Sequence, residues 1–183
     1  ECENRSSIVT ILALHGGGIE PATTELAYTI AHCGDYNYFS FKGMRSKGNN
    51  ELHVTSTHYD DQIALDLVRG SQRTVAIHGC EGNESVAYIG GSDDRLIELI
   101  TESLEDIGIS VREAPHHISG TQENNIVNMT QTQGGVQLEL TAQLRKELFK
   151  NRKSSRKNRE NKDNWDDLMY DFADAMKKAI ERA

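Results

Sequence analysis

His15, Glu20, His78 and Glu139 are the residues whose types and settings could do chemistry. The stretch IVTILALHGGGIE, Ile8 to Glu20, closes an apolar run with a histidine, three glycines and a glutamate. RTVAIHG, Arg73 to Gly79, repeats the form: an apolar run, a histidine, a glycine. Two imidazoles and one carboxylate make the three-ligand set of a catalytic zinc, with a fourth position left for water. Zinc takes the pKa of such a water from about 15.7 toward about 7. Hydrolysis then needs a carboxylate that is not a ligand, to carry the water's proton to a leaving nitrogen. Glu139, between Leu138 and Leu140, is the candidate, and strand alternation sets it on the opposite face from both leucines. The same pattern equally fits an edge-strand glutamate in solvent. A lone histidine at a strand end is more often a structural residue, but two in one context with a carboxylate on a glycine turn favour a metal.

These residues require strands that end together. Apolar runs closed by glycine read as buried strands, and open α/β sheets place ligands at the carboxyl ends of their strands. Strand and helix signals alternate along the chain, which predicts a single-domain α/β fold with a mixed, mostly parallel sheet flanked by helices. Pro21 marks a helix start, with TTELAYTIAH following. Strands are expected at Tyr36–Phe41, Leu52–Thr55, Val86–Ile89, Ile109–Arg112 and Gly135–Leu140. Tyr59–Val68 has helical spacing, with Ile63, Leu67 and Val68 on one side. Ser92 reads as the cap of a helix running through Leu104 and ended by Gly108. Lys42–Asn50 is a basic, glycine-bearing loop. Pro115–Gln133 is a polar stretch long enough to suggest a functional loop. Residues 1–150 form the α/β domain in this reading. Residues 151–183 add a charged linker, within the mobile stretch Phe149–Asn164, and an amphipathic helix from Trp165 to Ile180 docked on the same domain.

The chain has 183 residues and a formal net charge of -8, which disfavours nucleic acid and membrane surfaces as partners. No apolar run approaches a membrane span and no signal peptide is visible, so a soluble, monomeric protein is expected. The first residue is not Met, which leaves a removed leader open. Cys2, Cys33 and Cys80 cannot all pair with one another, and a reducing compartment is the simpler reading. Cys80 reads as a small packing residue rather than a nucleophile. The HGGG run also resembles an esterase oxyanion loop, but no G-x-S-x-G elbow accompanies it; Gly90–Asp94 lacks the second glycine.

The blocks LALHGGGIEPATTELA, LHVTSTHYD, VAIHG, YIGG and NNIVN, in that order, resemble the phage and bacterial poly-γ-glutamate hydrolases, a small branch of the zinc-carboxypeptidase-like fold. The resemblance spans most of Ile8–Thr141. It implies zinc bound by His15, Glu20 and His78, Glu139 as general base and acid, and cleavage of the γ-glutamyl amide of poly-γ-glutamate or a related acidic peptide. The interval from His15 to Glu20 is wider than in ordinary carboxypeptidases, and Glu25 is the alternative carboxylate. A polyanionic substrate calls for fixed cations and hydrogen-bond donors. Lys42, Arg45 and Lys47 cluster where such enzymes keep their carboxylate-binding residues, so Arg45 and Asn50 are the leading substrate contacts, with Lys47 beside them. His53, His116, His117, Asn125 and Asn128 are placed along the cleft. Met129 stands where relatives carry a basic residue. A zinc cell-wall amidase and a non-enzymatic binding module of the same fold are the alternative readings.

Overall fold

A computed structural model describes residues 1–183. Seven strands form one sheet: β1 (Cys2–Glu3), β2 (Val9–Gly17), β3 (Asn37–Gly43), β4 (Arg73–Cys80), β5 (Val86–Gly91), β6 (Ser110–Glu113) and β7 (Val136–Thr141). Their order is β1-β3-β2-β4-β7-β5-β6. The ladders β3/β2, β2/β4, β4/β7 and β5/β6 are parallel. Those joining β1 to β3 and β5 to β7 are antiparallel. The mixed, mostly parallel sheet expected from the alternation is therefore present.

Side-chain alternation divides the sheet into two unequal faces. Ile11, Val75, Ile77, Leu138 and Leu140 point into the main core, a cluster of 33 buried residues. Helices α1 (Thr23–Gly34), α3 (Asp94–Asp106) and α6 (Asp167–Arg182) supply much of its remainder. The other face holds a cluster of only nine, including Leu12, Leu14, Ala76 and residues of α2 (Gln62–Arg69), so it keeps room for a polar cleft. The chain also forms two short helices, α4 (Ala142–Glu147) and α5 (Arg156–Arg159). No helix is long and apolar enough to cross a membrane.

Several local expectations are corrected. The TTELAYTIAH helix is present and starts at Thr23 as expected, but Pro21 is not its first residue, because Ala22 between them takes a left-handed conformation (φ 85°). Asp93, not Ser92, caps α3, its carboxylate accepting from Leu96 N. Leu52–Thr55 is not a strand; it lies in and between two 3-10 turns, Asn49–Leu52 and Ser56–His58. Helix α2 begins only at Gln62, capped by Asp61, and buries Ala64, Leu67 and Val68 while Ile63 faces solvent.

Charge density predicts a loose Phe149–Asn164, yet the structure folds this stretch into short turns around a buried arginine. Arg159 contacts the Glu25 carboxylate at 3.2 Å, with side chains only 7% and 10% exposed. It also donates to Gly17 O (3.1 Å) and Ser154 O (2.7 Å). Removing one partner of a buried pair strands the other charge, so Arg159→Met is expected to cost about 3–5 kcal/mol. Urea denaturation measures this, and the added change Glu25→Gln should recover most of the loss.

Candidate metal centre and hydrolytic cleft

The first ligand pair is built by a glycine turn. A Cβ on Gly16 would meet Thr24 Oγ1 at 2.0 Å and Ser40 Oγ at 2.5 Å, and Gly17 has φ +66°, so neither position admits a side chain easily. The backbone then closes through Glu20 N–H donating to His15 O at 2.8 Å. That bond carries the Glu20 side chain back, with Oε1 at 3.0 Å from His15 Nδ1. Oε2 accepts from Gly79 N at 2.8 Å.

His78 enters from the parallel neighbour β4. Its Nδ1 lies 3.1 Å from His15 Nδ1 and 3.6 Å from Glu20 Oε2. His15 Nε2 donates to Val54 O at 2.7 Å, an assignment that leaves the lone pair on Nδ1. Tetrahedral zinc with bonds of about 2.0–2.1 Å spaces its donor atoms about 3.3–3.4 Å apart. The three observed separations bracket that value, so the residues fit a zinc ion. His78 Nε2, the ring nitrogen turned away from the three donor atoms, is buried without a protein partner.

His53 is a second neighbour. It stacks on His15 with ring centroids 3.7 Å apart, and its Nε2 lies 3.5 Å from Glu20 Oε1. His15, Glu20 and His53 also place ligand atoms within 4.8 Å of one another. Burial separates the two histidines: His78 is 2% exposed, whereas the His53 side chain is 46% exposed at the rim.

Burial works against the Glu20 charge, but the imidazoles of His15, His53 and His78 around it outweigh burial and hold the carboxyl far below the usual carboxylate range. Burial pushes the His15 imidazole down, toward the neutral form a metal requires. Burial also lowers His78, but Glu20 and Glu139 reverse the sign and leave it raised. For Glu139, burial raises the carboxyl and the neighbouring His78 only partly offsets it.

Glu139 is not on an edge. β7 runs between β4 and β5, Glu139 is 6% exposed, and its register partner on β4 is His78. Its Oε1 accepts from Gln137 Nε2 at 3.0 Å. Gln137 Nε2 also donates to Ile118 O (3.1 Å), and its Oε1 accepts from Asn125 Nδ2 (3.1 Å). Gln137 thus ties the carboxylate to the Pro115–Gln133 loop. The sequence reading missed it, although alternation sets Gln137 and Glu139 on one face.

His15, Glu20, His53, His78, Asn125 and Glu139 line one cavity of about 340 Å³. His117, Gly120 and Gln122 from the long loop form part of its wall. Arg45, Lys47 and Asn50 do not reach it, and neither do His116 and Asn128. Arg45 is half exposed and pairs with Glu51 at 2.8 Å. Asn128 is a structural residue, donating to Gly120 O and Gln122 O. Glu25 is engaged by Arg159, so the alternative carboxylate is not available to the centre. Cys80 lines the cavity, but burial raises its thiol, which disfavours a nucleophilic thiolate. All three cysteines are free.

Arg145 was also missed. Its guanidinium donates to Leu140 O, Pro21 O and Cys80 O at 3.1, 2.8 and 3.0 Å. It lies under Gly79, where a Cβ would meet it at 2.7 Å. It therefore joins the carboxyl ends of β4 and β7 to the turn that carries Glu20.

Comparison with known proteins gives a consistent picture. A family model described as poly-gamma-glutamate hydrolase matches residues 1–175. The solved structure of a bacteriophage poly-γ-glutamate hydrolase superposes with a TM-score of 0.94 at 32% identity, over 100% of this chain and 87% of that one. A zinc-free form of YndL superposes with a TM-score of 0.91 at 30% identity, over 99% of this chain and 88% of that one. The SPbeta prophage-derived protein YoqZ of Bacillus subtilis (strain 168) is 39% identical over 143 residues, 77% of this chain and 52% of YoqZ. The chain thus spans about half the length of that curated relative.

Proposed function

The chain belongs to the poly-γ-glutamate hydrolase family, and we propose that it is a zinc-dependent hydrolase of the γ-glutamyl amide bonds of poly-γ-glutamate. The observation that carries this reading is the convergence of His15 Nδ1, His78 Nδ1 and the Glu20 carboxylate within 3.0–3.6 Å in the cavity that Glu139 also lines. His15, Glu20 and His78 are the zinc ligands in this proposal, and Glu139 is the general base and acid.

Each residue has a distinct task. His15 is fixed by its bond to Val54 O, which aims Nδ1 inward. Glu20 is held in place by the Gly79 amide. A bound zinc would supply Lewis-acid polarisation of the scissile carbonyl and lower the pKa of water. Gln137 occupies Glu139 Oε1, which leaves Oε2 to take a proton from the attacking water. Glu139 then returns that proton to the leaving amide nitrogen as the carbon–nitrogen bond breaks, so one water is consumed and one acid and one amine are released. Its raised affinity for a proton suits a group that must hold one between the two steps. Asn125 and His53 line the cleft as neutral or switchable hydrogen-bond partners for substrate carboxylates.

The direct test is incubation with poly-γ-glutamate and, separately, with peptidoglycan. Shortening of poly-γ-glutamate that stops on adding a chelator and returns with zinc is the expected result. Release of peptidoglycan fragments alone would instead make the protein a cell-wall amidase. Chelator-insensitive cleavage would remove the metal from the reaction.

A further inference from the structure

A γ-linked polyglutamate carries a free α-carboxylate on every residue, yet no lysine or arginine lines the cavity of His15 and Glu139. The cations lie on the other side of the glycine turn. There a second cavity, of about 430 Å³, opens against Gly17, Gly18 and Pro21, the back of the segment that presents Glu20 to the first. Lys42, Arg45, Arg156 and Arg159 line it against Glu25 and Glu160, four cations facing two anions in a chain of net charge -8.

The cavity has a built floor and an exchangeable rim. Arg159 and Glu25 are the floor, buried and bound to each other, with Arg159 also holding the Gly17 carbonyl. The rim cations are held differently. Lys42 binds Glu1, Arg45 binds Glu51 and Arg156 binds Glu160, each at 2.8 Å, and in all three pairs the acid is more than half exposed. Exposed pairs of this kind are weak and readily exchanged. An arriving carboxylate can therefore displace the acid and take the paired N–H donors of a guanidinium. Arg156 is further fixed by donating to Met44 O at 3.3 Å, which keeps its head at the cavity. Glu25 does not oppose such a ligand, because Arg159 already compensates its charge.

We propose that this second cavity binds carboxylates of a γ-linked polyglutamate chain whose scissile bond lies in the first. The inference rests on the hydrolase reading and extends it: the two cavities share one turn, so a single polymer can occupy both. Screening over about 8 Å at physiological salt weakens the repulsion of the distant acidic surface. Cations beside the turn then decide whether a polyanion is held.

The test uses the zinc-loaded Glu139→Gln protein, which should not digest its ligand, with calorimetry on long poly-γ-glutamate and on the γ-linked dimer. In Lys42→Ala/Arg156→Ala the dissociation constant for the long polymer should rise about tenfold, and the polymer-to-dimer affinity ratio should fall with it. Lys177→Ala/Lys178→Ala, which removes an equal charge on α6 from side chains paired with Glu181 and Asp106, should leave the ratio unchanged. An unchanged polymer affinity in Lys42→Ala/Arg156→Ala overturns the proposal, as does an equal loss in Lys177→Ala/Lys178→Ala, or a parent protein that binds no polymer. If Lys42→Ala/Arg156→Ala loses polymer binding but the unaltered protein cleaves no polymer, the second site stands and the hydrolase reading fails.

Discussion

Glu139→Gln should bind zinc as tightly as the unaltered protein and turn over poly-γ-glutamate about 10²–10⁴-fold more slowly. The amide has the shape of the carboxylate, so it fills the same buried space on β7 and can still bond Gln137 after rotation. What it lacks is a basic oxygen. The substitution also removes a charge that acts on His78, so zinc content must be measured beside the rate. Metal analysis with a polymer-length assay supplies both. Full turnover with full zinc would deprive Glu139 of its role; loss of zinc together with turnover would make it part of the metal's support instead.

His78→Ala should weaken zinc by more than the roughly 10–100-fold typical of losing a supporting residue, whereas His53→Ala should keep most of the affinity. His15 and Glu20 are common to both ligand sets that the geometry permits, so only this pair of variants separates them. His78 is buried and its Nδ1 faces His15 Nδ1 at 3.1 Å. His53 lies at the rim, stacked on His15, where it can meet substrate without disturbing the centre. Chelator competition measures the affinities. A larger loss from His53→Ala than from His78→Ala would exchange their roles. In that case the ligand set would be His15, Glu20 and His53, and His78 would become a buried structural histidine.

His15, Glu20 and His78 were legible because their signal is local. An apolar strand closed by glycine announces where His15 and His78 emerge, and a Glu five residues on needs only a turn to return. The rest depended on contacts that periodicity cannot register. Leu52–Thr55 looks like a strand by composition, but Val54 O is taken by the His15 imidazole and no ladder reaches it. Arg145 and Arg159 belong to a residue type that patterning assigns to solvent, yet both end up bound to the carbonyls of the glycine turn and its neighbours. Glu139 could be read as an edge residue or a central one, because chain order does not dictate strand order. The basic loop pointed to cations for a polyanion, and the fold put Arg45 in the cavity behind the turn rather than in the cleft.

The position of β7 also bears on how the molecule is made. Without it, the ladder order leaves two unconnected pieces, β1-β3-β2-β4 and β5-β6. During vectorial synthesis both pieces emerge first, each with an open edge able to pair with the wrong strand. The strand that joins them is the last of the seven to appear and brings Glu139 with it. A nascent chain can thus gather His15, Glu20 and His78 before it has Glu139, the acid proposed to act on a substrate. Competence for turnover would arrive in the same event that seals the sheet.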